Sequence, residues 1–178
     1  MKTASSVIAQ SSYVQEFLKE REITAFYGKA ESVSEIVRKA VYPVVSADCL
    51  IALNNDGNYY RFLGGLSNLS CNNLYETFRD AGSAFTIIKL DKNYFFCYNT
   101  PVYDTSGQSP VRIGSMVMLS DLGKTRRLLE NTNILKDVNI AVIVDGAVML
   151  SNDRAVENTA ETELSSKRPH ACTAKGYF

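Results

Sequence analysis

The sequence has no tryptophan and only one histidine, His170. A lone histidine in a polar tail cannot assemble a His-rich metal centre, and it reads as a surface residue rather than a catalytic base. The four cysteines, Cys49, Cys71, Cys97 and Cys172, include no CxxC pair, so closely spaced zinc ligands are missing. Formal net charge is zero, which removes the basic footprint of a nucleic-acid binder. No run approaches the roughly 18 apolar residues of a membrane helix, and no secretory apolar stretch follows Met1-Lys2-Thr3. The GxSxG elbow, P-loop, GxGxxG turn and HExxH helix are all missing, so no cofactor is expected. No activating base is evident beside Cys49, Cys71 or Cys97, and Ser34, Ser115 and Ser120 have no recognisable partner set.

What remains is an ordinary globular composition. The chain has 178 residues, of which 46% are apolar, enough for one sizeable domain or one domain plus part of another. Ten tyrosines and eight phenylalanines replace the missing tryptophan, and many of them lie between Tyr42 and Tyr103. Cys49 and Cys97 fall in apolar strand-like runs and read as buried free thiols. The even count leaves a disulfide through Cys71 or Cys172 open.

The stretch Ala84–Ser120 organises the chain. Phe85–Leu90, Tyr94–Asn99 and Arg112–Leu119 are short, aromatic or β-branched runs bounded by turn residues, which predicts three strands in an antiparallel meander. Before them, Ser5–Lys19 has helical periodicity through Val7, Val14 and Leu18. A second helix is expected over Glu31–Val41, capped by Ser32 with Glu35 and stopped by Pro43, and Gly28 is a candidate interruption between the two. Asp48–Leu53 and Asn58–Leu63 read as a hairpin around Asp56-Gly57. Leu66–Asn72 reads as a loop, followed by a short helix over Leu74–Asp80 capped by Asn73 with Glu76. Beyond the central strands, Ser120 and Asp121 suit the start of a helix reaching about Glu130. Asn139–Val144 and Ala147–Leu150 then repeat the hairpin pattern around Asp145-Gly146. Asn152–His170 is polar and reads as loop or linker. The fold class is thus α+β, with an antiparallel sheet, a long N-terminal helix and a helical cover. The expected division is 1–120 as one module and 121–178 as a connecting helix with a partial second module.

The residues with binding chemistry sit on the sheet. Alternation places Tyr94, Phe96 and Tyr98 on one face of their strand. Tyr60 and Arg61 lie in the first hairpin, and Tyr103 and Asp104 follow Pro101. Such a sheet, covered by the short helix, can enclose a pocket in which Arg61 meets a carboxylate, Asp104 an amine or hydroxyl, and the tyrosines stack or donate. Each residue also has a plainer account. Arg61 reads equally as a solvent-facing strand residue, Asp104 as a turn residue, the aromatics as core, and Tyr75 as packing.

The order of elements, with DCLIALNNDGNYYRF followed by TPVYDTSG and VRIGSMVMLSDL, resembles the extracytoplasmic Cache sensor domains of bacterial transmembrane receptors, which are PAS-like. The segment IAVIVDGAVMLSN resembles the opening hairpin of the membrane-proximal module in double-Cache receptors. The resemblance spans roughly Ser5 to Asn152. It implies a membrane-distal sensor module on a helical stalk, outside the cell membrane, in a histidine kinase, chemoreceptor or cyclic-di-nucleotide enzyme. The implied partner is a small-molecule metabolite, with a homodimer through the N-terminal helix and membrane attachment only through flanking segments. The amino-acid-binding version carries an Arg-x-Trp-Tyr run. The corresponding stretch here, Asn73–Arg79, has no tryptophan and offers Tyr75 and Arg79 instead. The implied mechanism is binding coupled to helix movement, without turnover. Three other readings stand beside it: a cytoplasmic PAS- or GAF-like regulatory module, a small α/β enzyme, and a structural module whose pocket is filled by its own side chains.

Overall fold

The computed structural model describes residues 2–41, 47–90, 93–124, 127, 141–144, 147–151 and 172–173. The chain divides into two compact units. The first comprises Met1–Ala84 with Cys97–Ser120, and the second Phe85–Phe96 with Asp121–Phe178.

In the first unit, three helices precede the sheet: α1 (Lys2–Ala9), α2 (Ser12–Leu18) and α3 (Ile23–Val41). The single helix expected over Ser5–Lys19 is therefore two, because Ser11 is extended and breaks the run. The break lets Ile8 and Ala9 from one segment and Val14, Phe17 and Leu18 from the other reach the same core. Gly28 does not interrupt α3. It lies on the exposed side, while Phe26, Ala30, Val33 and Val37 form a continuous buried stripe at helical spacing. Glu22, rather than Ser32, caps this helix: its carboxylate accepts the amides of Thr24 at 3.0 Å and Ala25 at 2.6 Å. Those hydrogen bonds, the Thr24 amide first, hold its pKa below the ordinary value.

The hairpin forms as expected, with β1 (Cys49–Asn54) antiparallel to β2 (Tyr59–Leu63). Asn54 builds the turn, its Oδ1 accepting the amides of Asp56 at 3.0 Å and Asn58 at 2.9 Å, and Gly57 takes the positive φ of +86°. The next helix, α4, spans Asn68–Phe78 and starts well before the expected Leu74. Ser67 is its N-cap, accepting the Ser70 amide at 3.1 Å. Asn68, Asn72 and Asn73 give this segment the look of a loop, but Cys71, Leu74 and Phe78 form a buried stripe that decides for helix.

The central strands are β3 (Ala84–Leu90), β4 (Asn93–Asp104) and β5 (Val111–Asp121). β4 runs past the expected Asn99 and through Pro101. The strand order is β2-β1-β5-β4-β3, continued by a short β8 (Cys172–Thr173) paired with β3. Thus β3, β4 and β5 form the expected meander, and the N-terminal strand β1 inserts beside β5 with Ala52 opposite Met116.

The two faces of the sheet serve different purposes. Leu50, Ala52, Phe62, Val102, Met116 and Met118 pack with the stripes of α1, α2 and α3 into one core, in which Phe17 contacts Phe26 and Phe62 edge-on. By alternation Cys49, Ile51 and Leu53 turn to the opposite face, the face that α4 covers. Arg38 of α3 donates from Nε to the Phe62 carbonyl of the edge strand at 2.7 Å. Cys49, Cys71 and Cys97 are buried and free, so no disulfide forms through Cys71.

In the second unit, Phe85 stacks on Phe96 at 5.6 Å and Lys89 lies 5.2 Å from the Tyr94 ring. Asp121 Oδ1 accepts the Gly123 amide at 2.7 Å where a helical turn begins. The rest of the helix expected to about Glu130, the turn at Asp145-Gly146 and the segment 152–170 lie outside the described residues. The second hairpin, β6 (Ala141–Val144) with β7 (Ala147–Ser151), is antiparallel and forms its own two-stranded sheet. Among the described residues, no helix is long and apolar enough to cross a membrane.

Candidate functional site

A recess opens in the first unit where the C-terminal half of α4 meets the turn end of β1 and the start of β5. Leu53, Asn54, Asn55, Tyr75, Phe78, Arg79, Arg112, Gly114 and Ser115 line it. It holds about 170 Å³ of empty space, part of it open to solvent. Small-molecule pockets ordinarily begin near ~300 Å³; most of this space is open solvent, and the enclosed part is about 10 Å³, room for about one water.

Arg112 sits at its centre. Nη1 donates to the Ala81 carbonyl at 2.7 Å, and Nη2 donates to the Phe78 carbonyl at 2.5 Å and to Ser115 Oγ at 2.7 Å. The last carbonyls of a helix have no partner within it and carry partial negative charge, so a guanidinium fits there. Arg112 thereby fastens the end of α4 to β5. Its Nε is buried with no acceptor. Among the described residues, no carboxylate pairs with it, whereas Arg79 pairs with Glu76 at 3.4 Å and Asp80 at 3.2 Å. The recess is lined by two cations and no acid.

Three further ties close the site. Tyr75 Oη donates to the Asn55 carbonyl at 2.8 Å, Asn55 Nδ2 donates to the Arg112 carbonyl at 2.7 Å, and Asn99 Nδ2 donates to the Gly82 carbonyl at 2.9 Å. Asn54 faces two ways. Its Oδ1 holds the hairpin turn, and its Nδ2 donates to the Glu20 carbonyl at 3.1 Å, where α2 gives way to α3. One recess residue is thus bonded directly to the segment that joins α2 to α3.

Of the eight residues singled out from the sequence, the recess brings together Tyr75 and Arg79. Arg61 lies on β2, bonded to the Leu66 carbonyl and 5.9 Å from the Tyr59 ring. Tyr60 packs against the helical core, 5.0 Å from Phe62 and 6.2 Å from Tyr27. Tyr98 is buried, Tyr103 is exposed, and Phe96 belongs to the second unit, stacked on Phe85. Asp104 accepts the Ser106 amide at 3.0 Å and the Ser106 hydroxyl at 2.7 Å, and pairs with Lys19 at 3.0 Å. These contacts, the Ser106 amide first, bring its pKa down to about 2. Sequence reasoning missed Arg112, Asn54 and Asn55. The available signal for Arg112 was a lone charge at the head of the apolar run Arg112–Leu119. Ser115, which had no recognisable partner in the sequence, is the hydroxyl that accepts from Arg112.

Burial is the first cause that pushes the thiol pKa values of Cys49, Cys71 and Cys97 up, that of Cys49 to about 12. This is the opposite of an activated nucleophile. Among the described residues, no cluster of His, Cys, Asp or Glu is arranged to hold a metal ion.

No known protein family and no curated protein matches the sequence. Solved structures do match in fold. A domain of a sensory box/GGDEF family protein from Vibrio parahaemolyticus is 17% identical with a TM-score of 0.56, the alignment covering 86% of this chain and 64% of that one. The extracellular domain of a histidine kinase, vpHK1S-Z8, is 15% identical with a TM-score of 0.55, covering 86% and 61%. The periplasmic domain of Vibrio cholerae LuxQ is 14% identical with a TM-score of 0.47, covering 86% and 70%. The chain spans less than two thirds of the first two structures. It has their fold: an antiparallel sheet of five strands with N-terminal helices on one face.

Proposed function

We propose that this chain is a sensing module of a bacterial signal-transduction receptor, held outside the cytoplasmic membrane, in which a small molecule binding beneath α4 is coupled to movement of the N-terminal helices. The observation that carries this reading is the recess itself, which lies under a helix tied to the sheet by side-chain hydrogen bonds from Arg112 and Tyr75. The shared fold with domains described as sensory and as the extracellular part of a histidine kinase supports the same reading. It is also in keeping with a Cache-type, PAS-like module, attached to the membrane by flanking segments and dimeric through the N-terminal helices.

The work done is binding rather than turnover. A ligand shifts a conformational equilibrium only by its differential affinity for the two forms. Here the differential arises if the ligand replaces the ties between Arg112 and the carbonyls of Phe78 and Ala81. Asn54 then carries the change from the recess to Glu20 between α2 and α3. The test is a thermal-shift screen of the chain against amino acids, amines, carboxylates and nucleobases, because a ligand of the folded state stabilises it by mass action. A hit whose effect is lost in Tyr75→Ala or Arg79→Ala supports this site, and a hit unaffected by either places binding elsewhere.

The small volume favours a second reading, in which the interface under α4 is filled by its own side chains and serves structure alone. That reading expects no hit in the screen.

A further inference from the structure

We infer that α4 is a hinged lid, which lifts from the sheet as a unit about Gly65 and Gly82 while the helical core stays folded, and so uncovers Cys49 and Cys71. Its service to a metabolite rests on the sensing reading: the enclosed space under α4 is about 10 Å³, room for about one water, so a larger molecule reaches this face only when α4 has lifted. Burial sets α4 apart. None of its side chains belongs to the core that joins α1, α2 and α3 to the sheet, and its own apolar anchor is three buried side chains, Cys71, Leu74 and Phe78. A segment with so little buried apolar surface opens at lower cost than the whole molecule unfolds. Gly65 and Gly82 flank it, both with nothing within 4 Å of an added Cβ, and glycine there can take up the backbone rotation. Side chains from the sheet latch both flanks. Arg61 on β2 donates to the Leu66 carbonyl, Arg112 on β5 to those of Phe78 and Ala81, and Asn99 on β4 to that of Gly82. Every acceptor is a backbone carbonyl that water can serve once α4 lifts. Arg112 Nε and Asn99 Oδ1, buried without a partner among the described residues, also gain water in the lifted form.

Two thiols lie where they report this motion. β2 ends beside Cys49, since a Cβ on Gly64 would lie 3.1 Å from Cys49 Cβ, and Ser67 caps α4 shortly after. At its other end α4 brings Tyr75 and Phe78 to Leu53. The helix therefore runs alongside β1 in the same direction, and about 10 Å along it from Phe78 to Cys71 matches about 13 Å along the strand from Leu53 to Cys49. Burial first, and then the nearby Cys71 thiol, push the Cys49 thiol up to about 12, so it is inert while α4 is down.

The experiment is native-state labelling of the whole chain, carrying Cys172→Ser, with excess N-ethylmaleimide, each cysteine being read by peptide mass spectrometry. Labelling of the urea-unfolded chain gives the intrinsic rate, and a urea melt gives the unfolding equilibrium. The expected result is that Cys71 and Cys49 label at least about tenfold faster than global unfolding allows. Arg112→Lys, which keeps the charge but loses the grip on two carbonyls, should raise labelling of Cys71 about three- to tenfold. Val14→Ala, in the helical core, should lower the urea midpoint yet leave Cys71 labelling unchanged, because that core persists when the lid lifts. Labelling of Cys71 at the global rate, a rise in Val14→Ala that matches its lost global stability, or no response to Arg112→Lys would each overturn the lid. A metabolite hit lost in Tyr75→Ala alongside labelling at the global rate leaves the sensing reading standing without the lid. Early labelling with no hit from the compound screen supports the lid and counts against sensing of a metabolite.

Discussion

Asp104 and Gly64 show what single residues do for this fold. Asp104 fastens the loop after β4 through Ser106 and the end of α2 through Lys19. Its folded pKa, about 2, is depressed from the ordinary 3.8, so its contribution is present above that ordinary value and is lost as pH falls through about 2. Asp104→Asn should be less stable than wild type at neutral pH, and the gap should close between about pH 4 and pH 2. Denaturant unfolding at stepped pH measures it, and a gap that persists at the acid end contradicts this role. Gly64 holds φ at +78°, and a Cβ there would strike the Asp48 carbonyl oxygen and lie 3.0 Å from Cys49 Cα. Gly64→Ala should cost more than about 1 kcal/mol, readable as a lowered denaturation midpoint. This close backbone approach is what requires glycine at Gly64, whereas an added Cβ at Gly65 would meet nothing within 4 Å.

At the scale of elements, helix boundaries were less legible than strands. The strand runs and the Asp56-Gly57 hairpin were plain because β-branched and aromatic residues and a glycine at positive φ are local signals. The extent of α4 was not, since its asparagines favour caps and turns and only the buried stripe of Cys71, Leu74 and Phe78 overrides them. Ser67→Ala should therefore destabilise the chain by about 1 kcal/mol through loss of the N-cap. Gly28 shows the reverse case. It stands on the exposed side of α3 with nothing within 4 Å of an added Cβ. Gly28→Ala should stabilise the chain by about 0.5–1 kcal/mol, which a chemical melt resolves. The recess was legible only in part. Tyr75 and Arg79 were singled out, but Arg112 matters because of carbonyls at Phe78 and Ala81, more than 30 residues away in sequence. No local pattern announces such a pairing.

At the scale of the molecule, the sheet separates a core shared with the N-terminal helices from a face covered by α4, and Asn54, on the recess lining, bonds both the hairpin turn and the Glu20 carbonyl on the helical side. Its two roles can be parted. Asn54→Asp keeps the acceptor for the turn amides of Asp56 and Asn58 but removes the donor to the Glu20 carbonyl. A ligand should still protect α4 in that variant, with a weakened response in α2 and α3. The α+β class, the first hairpin and the β3-β4-β5 meander followed from short runs and short connections, whereas the place of β1 beside β5 did not. The receptor context rests on a resemblance, and the comparison with solved structures shows the fold alone. The most direct test of the sensing account is amide hydrogen exchange of the wild-type chain with and without a hit from the thermal-shift screen. The account predicts slower exchange in α4, Asn68–Phe78, together with altered exchange around Glu20 and the start of α3. A stabilising ligand that leaves α4 unchanged, or that protects α4 while the N-terminal helices stay as they were, would contradict it.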